Sequence, residues 1–238
     1  ANNQAMRVSN AEYFFLLNSD AEVTPGAIDK LVELADKDQR IGIVGPKLLN
    51  ADGSLQTSVW RHLLTPWEIL LTGLKFHKLL PRQVQSEIFL GDLWEHNQQR
   101  EVKMMSAAAM LIRKKLFDQT GGFDEDIFMY GEDDEFCLRV YRAGWKLVFT
   151  PQAEVFHKCG QSSQTRWAIK EKLKVQARSG LKFQEKSLSK LNVKSNCLAT
   201  IFVLSLENVR RKIRKVPKTD VEAKLEVYKE YLKNGFKI

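Results

Sequence analysis

Three sets of side chains in this sequence have the types and spacing to do chemistry. Asn18-Ser19-Asp20 follows directly on an uninterrupted apolar run, Tyr13 to Leu17. Ligands of open α/β sheets bind at the carboxyl ends of strands. An Asn-x-Asp there offers a carboxylate oxygen to a hard divalent cation, although the same three residues are also ordinary turn chemistry. Glu132-Asp133-Asp134-Glu135 puts four acids in succession at a helix start. Adjacent carboxylates repel, which raises the pKa of at least one of them unless a cation is near. A carboxyl tuned in this way can take a proton from a hydroxyl, and a solvated, capped first turn is the competing reading. His157 follows Asp133 after one helix and one strand, an excursion that can return the chain to the same sheet edge. It reads either as a ligand or as a packing residue. Residues 124 to 135 do not make a calcium loop, because Phe128 and Met129 fall where a ligand and the required glycine belong.

The elements that must position these groups follow an α/β order. Continuous apolarity over Tyr13–Leu17 predicts a strand buried on both faces. Thr24-Pro25 predicts a helix start, with Ile28, Leu31, Val32 and Ala35 on its inner face. Residues 41 to 46 read as a buried strand and Asp52-Gly53 as a hairpin turn. Trp60 to Arg100 is weakly periodic and reads as helix and loop. Met104 to Ile112 predicts a strand, and a short helix opening at Lys114 closes at Gly121-Gly122. The helix behind Glu132 turns Phe136 and Val140 inward and ends with Gly144 just past its last turn. Lys146 to Thr150 reads as a strand stopped by Pro151, with Val155-Phe156-His157 a separate extended piece.

Together these segments resemble the inverting family 2 glycosyltransferases. The resemblance rests on Tyr13 to Asp20, Ile41 to Lys47, Asp52-Gly53-Ser54-Leu55-Gln56, Gly121 to Glu125, Met129 to Arg139, Ala143-Gly144-Trp145 and Pro151 to His157. The Asp-Gly-Ser-Leu-Gln element is especially like the rhamnosyltransferase branch. The resemblance covers roughly residues 1 to 165 and implies a GT-A-like fold, a Rossmann-like mixed sheet flanked by helices. It also implies site roles. Asn18 and Asp20 match the donor-binding, DXD-like element, with Asp20 and His157 as ligands of a divalent cation, Mg2+ or Mn2+. Glu132 and Asp133 match the catalytic acidic pair, with Asp133 as base. Gly122, Phe123, Asp124 and Glu125 match a loop beside the acceptor. The partners implied are a nucleoside-diphosphate sugar donor and a saccharide or lipid-linked acceptor. Ala1-Asn2-Asn3-Gln4 aligns with the middle of the family's domain, so the expectation is a chain lacking the first strands of the fold.

Composition bounds the rest. The chain has 238 residues, 44% of them apolar and 28% charged, which excludes wholesale disorder. Three cysteines, Cys137, Cys159 and Cys197, are too few for a disulfide framework and point to a reducing, cytoplasmic setting. The net charge of +8 divides unevenly, with a balance of −5 over residues 1–157 and +13 over residues 158–238. The expected organisation is therefore a transferase domain over 1–165 and a basic helical tail over 166–238. In that tail an apolar stretch from Leu198 to Val209 precedes Arg210-Arg211-Lys212-Ile213-Arg214-Lys215. Such a sequence fits either a helix lying on an anionic membrane at the inner face or a helix packed on the domain. No nucleic-acid motif accompanies the charge, so no nucleic-acid partner is expected. A non-catalytic remnant that binds membrane or partner through the tail is the rival to the enzyme.

Overall fold

The computed structural model describes residues 1–60, 63–127, 129–158 and 169–235. Cys159, Phe128 and the boundary expected at 165/166 lie outside them. The chain gathers into two compact units. One comprises Ala1–His62, Gln83–Glu125 and Glu132–Ser163, and the other Leu63–Arg82, Asp126–Gly131 and Gln164–Ile238.

In chain order the first unit contains α1 (Asn2–Val8), β1 (Tyr13–Leu17), β2 (Ala21–Val23), α2 (Ala27–Lys37), β3 (Ile41–Leu49), β4 (Leu55–Gln56) and β5 (Val59–Trp60). The helix α3 (Pro66–Gly73) belongs to the second unit, and α4 (Arg82–Phe89) leads back to the first. Then come β6 (Arg100–Val102), β7 (Met104–Met105), β8 (Ala109–Arg113), α5 (Lys114–Thr120), α6 (Glu132–Arg142) and β9 (Lys146–His157). The main sheet has the order β1-β8-β3-β9-β2, with β4 on β3 and β6 on β9. Only β3 and β9 pair in parallel, so the sheet is mixed.

Packing decides where the sequence pattern is followed and where it is not. Leu31, Leu34 and Ala35 of α2 join Ile41, Val44, Leu111 and Val148 in one core cluster. Thr24 does not cap α2: its hydroxyl donates to the Glu154 carbonyl, and Gly26, at φ 73°, stands at the cap instead. The start therefore moves to Ala27, Ala27 takes an inner place, and Ile28 turns to solvent at 42% exposure. Among the described residues β1 is an edge strand. Phe14 and Leu16 are buried on one face, Tyr13 and Phe15 are partly buried against the core on the other, and the run opens to solvent at its end, where Leu17 is 42% exposed. The stretch from Met104 breaks into β7 and β8 around a turn at 106–108. Pro151 does not end its strand. β9 continues past it to His157, twelve residues in all, and the pairing with β3 skips from Thr150 opposite Pro46 to Glu154 opposite Lys47, which absorbs the proline in an irregularity. Gly144, at φ 88°, lies two residues beyond the last residue of α6, where a left-handed residue closes a helix.

The second unit is helical. α7 (Ile169–Ser187), α8 (Lys190–Ile213) and α9 (Thr219–Asn234) enclose Ala177, Leu181, Val193, Cys197 and Val227. α3 lies against α8 at Gly73, where a Cβ would come within 2.4 Å of Val203 Cγ1.

Candidate active site

The β2–β9 ladder sets Ala21 opposite His157, and the Lys158 amide donates to the Asp20 carbonyl at 2.9 Å. That register brings Asp20 Oδ1 to 3.2 Å from His157 Nε2, with each side chain about 10% exposed. Asn18 Nδ2 reaches the same ring nitrogen at 3.2 Å. On the other side of the ring, Nδ1–H donates to Gln56 Oε1 at 2.7 Å. Gln56 is itself held, since its amide nitrogen donates to Asn50 Oδ1 at 3.0 Å and to the His157 carbonyl at 3.4 Å.

This network fixes the tautomer. With a proton on Nδ1 toward Gln56, the Nε2 lone pair faces Asn18 and Asp20. A lone pair and a carboxylate oxygen 3.2 Å apart attract only when a positive charge joins them, either a proton on Nε2 or a cation. An imidazole nitrogen beside a carboxylate oxygen is a donor set that suits Mn2+ or Zn2+ and that tolerates Mg2+ through the oxygen. Asp20 and His157 therefore fit a divalent cation. Among the described residues no group of three or more His, Cys, Asp and Glu side chains gathers around one point, so such a cation would need ligands from a bound molecule or solvent.

The acidic helix start is tied to the same region through the 106–108 turn. The Asn18 amide donates to the Ala108 carbonyl at 2.9 Å. One residue earlier, the Ala107 amide donates to Asp133 Oδ2 at 3.1 Å. Asp133 Oδ1 accepts the Asp134 amide at 3.0 Å, one of the N–H groups that a helix start leaves without an intrahelical partner. Asp133 is thus oriented by two backbone amides. The chain enters this helix through Tyr130 at φ 66° and Gly131 at φ 103°, a left-handed pair that costs some strain at the tyrosine.

Of the four acids, Asp134 has its carboxyl pushed up to about 8, first by burial and then by the charges of Asp133 and Glu132. Glu135 is committed differently. It takes a two-pronged bond from Arg139 at 2.9 and 2.8 Å, and Arg139 also donates to the carbonyls of Thr120 and Gly122.

Loop 122–125 is pinned from both ends. Asn3 Oδ1 accepts the Phe123 amide at 2.8 Å, and Asn3 Nδ2 donates to the Phe123 carbonyl and to Glu125 Oε1. A Cβ on Gly122 would lie 2.1 Å from Asn3 Oδ1, so a side chain there would push aside the amide that holds the loop. Glu125 forms a further ion pair with Arg7, and these partners hold its carboxyl below the usual range. The structure thus joins Asn18, Asp20, His157 and Asp133 through one turn. Gly122 to Glu125 are attached to α1 and to Arg139 instead. Sequence reasoning passed over two residues, Gln56 and Asn3. Gln56 stood within the Asp-Gly-Ser-Leu-Gln element, but its partner lies 101 residues away, and nothing local marked it.

Comparison with known proteins agrees with this architecture. Residues 2–178 match the family described as glycosyltransferase like family 2. Over 150 residues, 61% of this chain and 47% of the relative, it is 34% identical to N-acetylglucosaminyl-diphospho-decaprenol L-rhamnosyltransferase of Mycobacterium tuberculosis. It is 31% identical to the O-antigen biosynthesis protein RfbC of Myxococcus xanthus over 66% of this chain and 12% of that protein. It is 31% identical to rhamnosyltransferase WbbL of Escherichia coli over 32% of this chain and 31% of that protein. The chain spans about half the length, or less, of these curated relatives. A solved structure of GalNAc-T7 with UDP, GalNAc and Mn2+ is a more distant likeness, with 15% identity and a TM-score of 0.46 over 78% of this chain and 37% of that one. With three quarters of its length matched to the family and its mixed sheet flanked by helices, the chain belongs to glycosyltransferase family 2.

Proposed function

We propose that this chain carries the catalytic part of an inverting glycosyltransferase. It would move a sugar, rhamnose by analogy with its relatives, from a nucleoside-diphosphate donor to a saccharide or lipid-linked acceptor of a cell-surface polysaccharide. The observation that carries the reading is the 106–108 turn, which ties the Asn18–Asp20–His157 cluster to Asp133 through consecutive backbone bonds.

In this reading Asp133 accepts the proton of the attacking acceptor hydroxyl. The oxygen so freed bonds to the anomeric carbon on the face opposite the diphosphate, and the departing bond leaves its electron pair on the diphosphate oxygen. The Ala107 amide keeps the carboxylate aimed while it takes the proton. Glu132 is the other half of the acidic pair. Asn18 and Asp20 bind on the donor side, and Gln56 holds His157 in the tautomer whose Nε2 can act as a ligand. Asp20 and His157 would hold a divalent cation, which when bound offsets charge on the leaving diphosphate. Loop 122–125, stiffened by Asn3 and Arg139, forms the acceptor side.

Release of nucleoside diphosphate from a panel of sugar donors, with and without Mn2+, tests the proposal. Donor-specific release that needs the cation is the expected result. No release from any donor, by this chain or by a version extended to the length of its relatives, would favour the non-catalytic alternative.

A further inference from the structure

The helix α8 is apolar on two faces. Val193, Cys197 and Ala199 are buried within the second unit. Along another face Leu191, Leu198, Phe202, Leu206, Val209 and Ile213 recur at intervals of 7, 4, 4, 3 and 4 residues, which keeps them in one stripe. All six are exposed, from 45% at Leu206 to 76% at Ile213. Ser195 separates Leu191 from the rest, and from Leu198 to Ile213 the stripe runs on for about four turns, an exposed apolar patch of the kind that marks an interaction surface for a partner.

The charges around the stripe identify that partner. On a 3.6-residue wheel Lys194 and Lys212 fall along one border and Arg210 along the other. Glu207, the only acid in α8, falls on the opposite side and is within ion-pair distance of Arg210 and Arg211. At the end of the helix Lys75, Arg210, Arg211 and Arg214 line a groove of about 510 Å3, together with Glu207 and Asp220. Glu207 pairs with Arg210 and Arg211, and Asp220 with Arg211, so the groove stays net positive, but it lies on the Glu207 side of α8, away from the stripe. An apolar band bordered by lysine and arginine on both sides is what an anionic bilayer surface takes up, acyl chains against the band and phosphates against the cations. A second copy of this face would set like charges against each other along both borders, which disfavours self-association through it. Among the described residues no helix is long and apolar enough to cross a membrane, which agrees with a helix that lies on the surface.

We propose that the exposed face of α8 docks the second unit onto a membrane of anionic phospholipid, with Lys194 and Lys212 on one border of the stripe and Arg210 on the other meeting the phosphate headgroups. The inference does not depend on the transfer reaction. Co-sedimentation of the full chain with vesicles of phosphatidylglycerol and phosphatidylcholine, against phosphatidylcholine alone, tests it. The parent should pellet with the anionic vesicles at low salt and be released by high salt. Lys194→Gln, Arg210→Gln and Lys212→Gln together should weaken partition roughly 100-fold. Phe202→Ser, Leu206→Ser and Ile213→Ser together should weaken it by at least about 100-fold. Phe202→Gln alone, at a half-exposed position, should cost roughly 10-fold and serves if the triple variant fails to fold. A parent that stays in the supernatant at low salt overturns the proposal. Undiminished binding by the apolar variants also overturns it, because charge alone would then suffice. So does a parent that is dimeric without vesicles and becomes monomeric when the stripe is changed.

Discussion

The first unit contains two polar centres built in opposite ways. Asn18 and Asp20 come from the turn between β1 and β2, Gln56 from the end of β4 and His157 from the end of β9, and their bonds span 101 and 139 residues of sequence. They meet only because the β2–β9 ladder and the β3–β4 hairpin hold their registers. Glu132 to Glu135 sit in one turn of a helix and need no distant partner to be close. A one-residue slip of β4 or β9 would turn Gln56 or His157 to the wrong face, whereas the second would survive as long as α6 forms. The first centre is thus specified by the fold and the second by a run of sequence.

The largest expected effect falls on the local centre. Asp133→Asn keeps the shape and the Ala107 bond but removes the basic lone pair, so transfer should fall by ~10²–10⁴-fold. Donor affinity should stay nearly intact, since Asp133 is assigned to the acceptor proton. Single-turnover transfer together with donor titration separates these two quantities. Transfer within a few-fold of the parent would take the base role away from Asp133.

At the long-range centre the loss should appear in binding instead. His157→Ala and Asp20→Ala each remove one of the two donors proposed for the cation, and Mn2+-dependent donor affinity should fall by roughly 100-fold or more, read by calorimetry. If either variant kept the parent's cation dependence, that residue would not be a ligand. Gln56→Leu is the finer probe. It leaves both donors in place and removes only the acceptor of the His157 Nδ1–H, so the ring loses its enforced tautomer. Roughly 10-fold weaker cation-dependent binding is expected, at the low end for an orienting partner. Gln56→Glu, which still accepts that hydrogen bond, should recover most of it. Equal loss in both variants would mean that Gln56 acts only on folding.

Much of this contrast was already legible in the sequence. β3, β8, the α6 helix with Phe136 and Val140 inward, and the Asp52-Gly53 hairpin announce themselves through local pattern. Asp20 and His157 were placed at strand ends, where ligands bind, and they are 3.2 Å apart. What sequence could not supply was tertiary partnership. The role of Gln56 depends on a residue 101 positions away, and the hold of Asn3 on loop 122–125 spans 120. Pro151 looked like a stop because the irregular pairing that accommodates it belongs to β3 as much as to β9. The stretch from Leu198 to Val209 looked like a single apolar segment, and only packing reveals that its residues divide between a core face and a solvent face.

The smallest expected effect concerns stability, and it tests how tightly the local centre is crowded. The repulsion that the four-acid run implied falls on Asp134, whose carboxyl is raised from about 3.8 to about 8 by burial and by its two acidic neighbours. Between those values the folded protein keeps a proton that the unfolded chain has released. Folding is then favoured at low pH, and stability declines as pH rises through this window until Asp134 ionises in the fold. Asp134→Asn cannot ionise, so it should remove that part of the pH dependence. Relative to the parent, the variant should change little near pH 4 and gain on the order of 1–3 kcal/mol above pH 8, a discounted figure because the side chain keeps some contact with solvent. Urea midpoints of both proteins across that range give the comparison. Curves that run parallel would mean that solvent or a counter-charge already relieves Asp134, and that the crowding at the start of α6 is no larger than at an ordinary acidic helix end.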